Sequence, residues 1–355
     1  NCRKAILGGH KFHCSKCNHE RISYNSCKHR FCPVCSYTSF KYWLEKQKRR
    51  LLNCPHFHVV FTMPHEMNIF WYYNRRLFQE IIFRATSKSL RCLLKNEKYL
   101  AAKPGIISSL HTWDQQLKPH LHIHSVITAG GLTEEAQWKE LKYKDFLMPV
   151  QVLSKLYRGK FIGYLRKALR KNLLIMPPGH TQASFLYELS PLYKKQWHVE
   201  IMPVYEHGRG ITHYLALYLK RGPMSSYRIK KFDGSGVTFI YKKRRSVGNI
   251  SEIKEAKISL EDFVKRYLFH VPLPRFQMVR SYGLYSNRTE LLNSARKIFN
   301  QKLYERMDFI SWKQDLIREL EKENKCPYCE SCYKEKEILL PQACSPPKNE
   351  AIYAA

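Results

Sequence analysis

Negative charge is what this sequence is short of: 29 Asp and Glu stand against 61 Lys and Arg, a formal net charge of +32 over 355 residues. Such an excess repels itself, and a polyanionic partner is the simplest thing that neutralises it. Also missing is any apolar run long enough to cross a bilayer, and no signal peptide with an apolar core and small-residue cleavage site is recognisable. The expectation is a soluble, intracellular protein. Evenly scattered cysteines, the pattern of a disulfide framework, are a third absence. Most of the 12 cysteines fall in closely spaced pairs, which reads as thiolate metal ligation in a reducing compartment.

Aromatic residues are present and interleave with the cations. FKYWLEKQKRR and VTFIYKKRR set stacking faces beside phosphate-binding charges, and the second run ends in Arg244 and Arg245. Charge and aromatics together point to nucleic acid. The length allows two or three domains, or one large core with appendages.

The chemistry concentrates between Leu110 and Leu132. His120, His122 and His124 alternate with Leu121 and Ile123, so in a strand the imidazoles share one face and the aliphatic residues pack on the other. His111 lies on the preceding apolar run, and the intervening DQQLKP reads as a turn that brings it back antiparallel. A lone strand histidine is ordinarily a surface or hydrogen-bonded residue; a row with another one hairpin away reads as a metal or phosphate site. Imidazoles without thiolate suit Mn, Zn, Fe or Ni, and with water and phosphate completing the shell even Mg. The row alone does not choose among hydrolase, nuclease and binding site.

Two knuckles open the chain. Cys14-x-x-Cys17 and Cys32-x-x-Cys35, fourteen residues apart, have the spacing at which two pairs complete a tetrahedral zinc site. Cys2, His10, Cys27 and His29 are left over with the right chemistry for a second site. Near the other end Cys326, Cys329 and Cys332 suggest another zinc ribbon whose fourth ligand is open, with Cys344, Cys2 and Cys27 as candidates. Too few apolar residues surround the first knuckles for an independent core, so zinc supplies much of that module's folding free energy.

Between these ends the pattern alternates helices and strands. Residues 36–52 read as a helix, CPHFHVVFTMP as a strand whose His56 and His58 either join the site or, as the otherwise ordinary strand material favours, are structural, and 66–98 as a helical region. Strands follow at 105–113 and 119–128, the latter ending in an Ala129-Gly130-Gly131 turn. A helix over 152–174 and a strand over 197–205 come next. The segment HYLALYLKR forms a short helix with Tyr214 and Tyr218 on one face, followed at once by Lys220 and Arg221. Ser259 starts another helix. The fold class is α+β, divided as 1–50 (cysteine and histidine module), 51–288 (core) and 289–355 (helical, cysteine-containing).

Taken in order, AILGGH, NSCKHRFCPVC, FHVVFTMPHE, LHTW with HLHIHSVITAGGL, YLALY and FVKRYLFHVPLPRFQMVRSYGL resemble the two-tyrosine rolling-circle transposases of the insertion sequence 91 family. The resemblance implies a HUH nuclease core, a central antiparallel sheet flanked by helices. His122 and His124 are then the pair that binds catalytic Mg²⁺ or Mn²⁺, with His111 as the third ligand. It further implies that Tyr214 and Tyr218 cut single-stranded DNA at element ends through a 5′-phosphotyrosine and pass it to target DNA. Structural zinc modules and cations such as Lys220, Arg221, Arg244 and Arg245 hold the DNA, in the bacterial cytoplasm or nucleoid. A plasmid replication initiator or relaxase-type nickase, and a non-catalytic zinc-containing nucleic-acid binder, are the alternative readings.

Overall fold

The computed structural model describes residues 2–29, 32, 37–206, 222–244, 251–286, 289–305, 308, 311, 314 and 325–341. The chain forms two compact units, one of residues 1–43 with 306–355 and one of residues 44–305. Three consecutive segments are therefore not the units of packing, because the two chain ends fold together.

In the first unit, β1 (Gly9–Cys14) lies between β2 (Glu20–Tyr24) and β12 (Tyr333–Leu339), antiparallel to both. Among the described residues little apolar surface holds this sheet: the buried cluster is Cys14, Cys326 and Tyr333. Charge complementarity sets the register instead. Glu20 meets Lys11 at 2.7 Å and Lys336 at 3.0 Å, and these two ammonium groups bring its carboxyl down to about 2.

The larger unit is built on an antiparallel sheet of order β11-β4-β5-β3-β7, comprising Val279–Gly283, Lys103–Trp113, Pro119–Leu132, His56–Thr62 and Val199–Tyr205. A short β6 (Trp138–Glu140) pairs with β5. One face is apolar. Phe57, Val59 and Phe61 of β3, Ile106 and Leu110 of β4, and Leu121 and Ile123 of β5 are buried there. Over them lie α3 (Arg75–Leu94) and α4 (Val150–Arg170), Phe61 meeting Tyr157 edge-on at 5.1 Å. The strand period of two then leaves the histidines of β4 and β5 on the opposite face.

One expectation is corrected in β5, which runs through Gly130 and Gly131 to Leu132 with no turn at Ala129. Its neighbours come too close for side chains. A Cβ on Gly130 would stand 2.6 Å from the Trp138 ring, and one on Gly131 2.6 Å from the Lys103 carbonyl oxygen. The glycines serve sheet packing, not reversal.

A second antiparallel sheet, order β10-β9-β8, comprises Ser251–Ser259, Gly236–Arg244 and Ile229–Phe232. The Ser259 hydroxyl accepts from the Asp262 N–H at 3.1 Å to cap α6 (Leu260–Phe269). This sheet is tied to the β4–β5 turn. Leu117 is buried with Met224, Val237 and Phe239, and the Arg228 guanidinium donates to the Gln115 carbonyl. The sheet is thereby held beside the histidine face. No described helix is long and apolar enough to cross a membrane.

Two histidines outside the trio make the fold acid-sensitive. His56 Nδ1 donates to the Cys54 carbonyl at 2.8 Å, and Nε2 accepts from the Tyr285 hydroxyl at 2.7 Å. His270 Nε2 donates to the Leu117 carbonyl at 3.0 Å, and Nδ1 accepts from Thr112 at 3.1 Å. Burial brings each ring down to about 4. The unfolded chain therefore binds protons below about pH 6.5 while the native rings stay neutral. Stability is full above that pH and falls as pH drops toward 4, by roughly 3 kcal/mol per ring. Urea unfolding at pH 7.5 and 4.5 should show a large fall in midpoint, and His270→Gln should flatten it; an unchanged midpoint would mean that the native rings take up protons as readily as the unfolded ones.

Candidate functional site

Antiparallel pairing places His111 directly opposite His122, with His124 opposite Ser109 one pleat further on. The ring centroids of His111, His122 and His124 lie 4.6 to 5.3 Å apart, and one nitrogen of each lies within 4.8 Å of the others. All three are buried, at 7% to 9% exposure. Trp113 stacks on His111 at 4.7 Å and fixes the plane of that ring. His120 is half-buried at the rim, its ring 4.8 Å from His122, but stands outside the trio.

Hydrogen bonds settle which nitrogens are available. His122 Nδ1 lies 2.9 Å from the His120 carbonyl oxygen, which can only accept. Nδ1 therefore carries the proton and Nε2 keeps its lone pair. His124 Nδ1 lies 3.0 Å from His58 Nε2, and His58 Nδ1 lies 2.9 Å from the Met202 sulfur. With His124 donating from Nδ1, His58 accepts at Nε2 and turns its own N–H to the thioether, and Nε2 of His124 keeps its lone pair. Burial, then the charge of His111, holds His122 and His124 well below the ordinary imidazole range. The same two causes lower His58 to about 3. At neutral pH these rings are neutral donors, and a divalent cation fits the set.

Above the histidines is a cleft of about 530 Å³, whose far wall comes from the smaller sheet and the segment leading into it. Tyr227, Arg228, Tyr241 and Lys242 line it, together with Gly222 and Pro223. Asp114 also lines it but is occupied, its Oδ1 accepting from the N–H groups of Gln116 and Lys118 at 2.8 Å. That carboxylate shapes the β4–β5 turn. The walls around the histidines are thus cationic and aromatic, suited to a phosphate with a base or sugar beside it.

The strand pattern favours a structural His58; the β3–β5 register sets it beside the trio instead. Tyr241 and Lys242 belong to the basic aromatic run already visible in the sequence, whereas Tyr227 and Arg228 carried no local signal. Arg244 ends β9 opposite Ser251. Tyr214, Tyr218, Lys220, Arg221 and Arg245 lie outside the described residues.

The cysteines regroup. Cys14 and Cys17 come together with Cys326 and Cys329, while Cys32 lies with Cys2 and Cys27. Joining Cys14 and Cys17 to Cys32 and Cys35 is therefore corrected, and Cys35 and Cys344 lie outside the described residues. Cys332 is exposed and in neither group. His10 is occupied by Glu335 at 2.6 Å. The quartet consists of two matching knuckles. Asn18 N–H donates to the Cys14 carbonyl at 2.9 Å and Glu330 N–H to the Cys326 carbonyl at 2.8 Å. Asn18 and Glu330 both adopt left-handed backbone, φ 56° and 57°.

Sulfur separations of 3.3 Å (Cys14–Cys329), 3.4 Å (Cys17–Cys326) and 3.5 Å (Cys17–Cys329) approach the edge, about 3.8 Å, of a tetrahedron with Zn–S of about 2.3 Å. Against the burial that would raise it, the Tyr328 N–H, the Cys17 thiol and the Cys329 N–H bring the Cys326 thiol down to about 6. The donor set fits zinc.

Fold and site define an α+β protein with three buried histidines that could hold a metal ion at the floor of a cleft, and a cysteine quartet suited to zinc. Residues 105–291 match the family described as "Putative transposase", and residues 1–63 match the transposase zinc-binding domain of the insertion sequence 91 type. The chain belongs to this family of transposases. It is 35% identical over 292 residues to "Putative transposase y4qJ" of Sinorhizobium fredii, covering 81% of this chain and 72% of that protein. It is 29% identical over 293 residues to the transposase for insertion sequence element IS801 of Pseudomonas savastanoi pv. phaseolicola, covering 81% and 68%. A solved structure of TrwC with a 27-mer DNA of recognition hairpin and cleavage site aligns at 12% identity and a TM-score of 0.25, over 45% of this chain and 70% of that one.

Proposed function

We propose that this transposase nicks and rejoins single-stranded DNA at its element's ends, with the scissile phosphate seated over His111, His122 and His124 and a tyrosine as nucleophile. The observation that carries this reading is the trio of buried imidazoles at the floor of a cation-lined cleft. His111, His122 and His124 would hold Mg²⁺ or Mn²⁺, which would neutralise charge that develops on the phosphate oxygens. Lys242 holds a flanking phosphate, with the charge of Arg228 fixed beside it by backbone carbonyls, while Tyr227 and Tyr241 offer faces to the bases.

Tyr214 and Tyr218 are the proposed nucleophiles. In sequence Tyr218 stands four residues before Gly222, which lines the cleft, and four residues span at most about 14 Å. The phenol oxygen bonds to phosphorus as it loses its proton, the P–O3′ bond breaks, and the 3′ oxygen gains a proton. One phosphodiester replaces another, so a later 3′-OH can displace the tyrosine without a nucleotide cofactor. Two tyrosines let one chain hold one cleaved end while cutting the next. The cysteine quartet holds structural zinc.

Denaturing electrophoresis of the protein with labelled single-stranded DNA from the element's ends, with Mg²⁺ or Mn²⁺, tests this. A denaturant-resistant adduct is expected from the wild type, lost or shifted in Tyr214→Phe and Tyr218→Phe. Binding without an adduct under either metal sinks the reading and leaves a non-catalytic zinc-containing DNA binder.

A further inference from the structure

A second basic groove of about 570 Å³ lies on the other side of the large sheet, among α3, α4 and β11. Its walls carry Arg84, Lys88 and Arg91 on α3, with Lys167 on α4 and Lys171 just past its end. The α3 cations recur at i, i+4 and i+7 and the other two at i, i+4, so each row shares one helix face. Spacing like charges this way works against each helix, and packing α3 on α4 sets one row opposite the other. The helix dipoles offset part of this at Arg91 and Lys167, which lie in the last turns of α3 and α4. The groove's carboxylate, Glu80, is already taken by Arg280 in a bidentate pair with both contacts at 2.7 Å. Among the described residues Lys88, Arg91, Lys167 and Lys171 have no ion-pair partner. Arg84 is positioned, its guanidinium 4.5 Å from the centre of the Tyr164 ring.

We infer that this groove binds the phosphodiester backbone of a second DNA segment, distinct from the strand at the histidines. Sheet geometry separates the two. Arg280 pairs with Ser108 and Tyr282 with Ile106, on the face of β4 that carries Leu110, whereas His111 belongs to the other face. A strand seated over the histidines cannot reach the groove without passing around the sheet. Arg84 to Arg91 covers about 10 Å of helix, which matches roughly three phosphates of one duplex strand. An apolar floor of Leu77, Ile81 and Ala168 suits sugar edges between phosphates. The inference rests on DNA being the substrate, but not on tyrosine chemistry.

The test compares two DNAs from the element's ends, a hairpin with a single-stranded overhang and the overhang alone as a short oligonucleotide. Binding is measured against salt for the wild type, for a groove variant (Lys88, Arg91, Lys167 and Lys171 each to Gln), and for a control. The control changes exposed Lys139, Lys144, Lys194 and Lys231 to Gln, removing the same charge elsewhere. Each lost phosphate contact lowers the salt slope by about 0.9. The groove variant should therefore lose about 3 in slope and at least about tenfold in hairpin affinity, with short-oligonucleotide affinity within about twofold of wild type. Its thermal midpoint should not fall, since repulsion is relieved. Equal weakening by the control would reduce the groove to diffuse basic surface and overturn the inference. So would equal weakening of both DNAs, or no weakening of the hairpin. If the wild type forms no tyrosine adduct, the cleavage reading fails while this comparison still decides the groove.

Discussion

Alanine at His122 or His124 is expected to lower Mn²⁺ affinity by more than about 100-fold, a ligand loss exceeding the 10–100-fold typical of supporting residues. Adduct formation with element-end DNA should fall to background. The reason is geometric: the trio comes from two strands whose register fixes it, and two neutral nitrogens cannot replace three at this depth. Calorimetric titration with Mn²⁺ reads the effect without relying on activity. His58→Ala should give an intermediate result, about 10–100-fold weaker Mn²⁺ binding, because His124 loses the acceptor 3.0 Å away that keeps its proton on Nδ1. His58→Gln retains an acceptor oxygen and should restore much of the affinity, which a purely packing role for His58 would not allow. Unchanged Mn²⁺ affinity in His124→Ala would remove the trio as the metal site.

Cys326→Ser should have the second large effect, unfolding the small unit while the large one stays intact. Its apolar cluster is too small to sustain the β12-β1-β2 sheet, whereas a structural zinc contributes about 10–16 kcal/mol of apparent binding free energy. Losing one of four thiolates should cost one zinc per chain by elemental analysis. Amide-exchange protection should then vanish together from β1 and β12, although one lies near each end of the sequence. Cys332→Ser, outside the quartet, should change neither readout. If β12 keeps its protection in Cys326→Ser, zinc is not what joins the chain ends.

Much of the site was legible because strand period is local. Alternation at His120, His122 and His124 fixed a shared face before any partner was known, and the turn after Trp113 brought His111 opposite. His58 was not legible. Its neighbour His124 is 66 positions away, and only the β3–β5 register brings the rings together. The Gly130-Gly131 pair misled for a related reason: glycine marks a reversal or a close approach, and the crowding by Trp138 and Lys103 comes from other strands.

The cysteines draw the line most clearly. By itself the sequence determined the chemistry: a polyanion for the +32 charge, imidazoles on one strand face, and Cys-x-x-Cys knuckles that turn two thiolates toward one ion. These follow from composition and from covalent spacing over a few residues. Tertiary structure decided which knuckles share a site, joining Cys14 to Cys329 across 315 positions, which face of the large sheet received the helices, and what walls the histidine cleft. Those choices depend on strand pairing between distant segments, and a knuckle's spacing is the same whichever partner completes it.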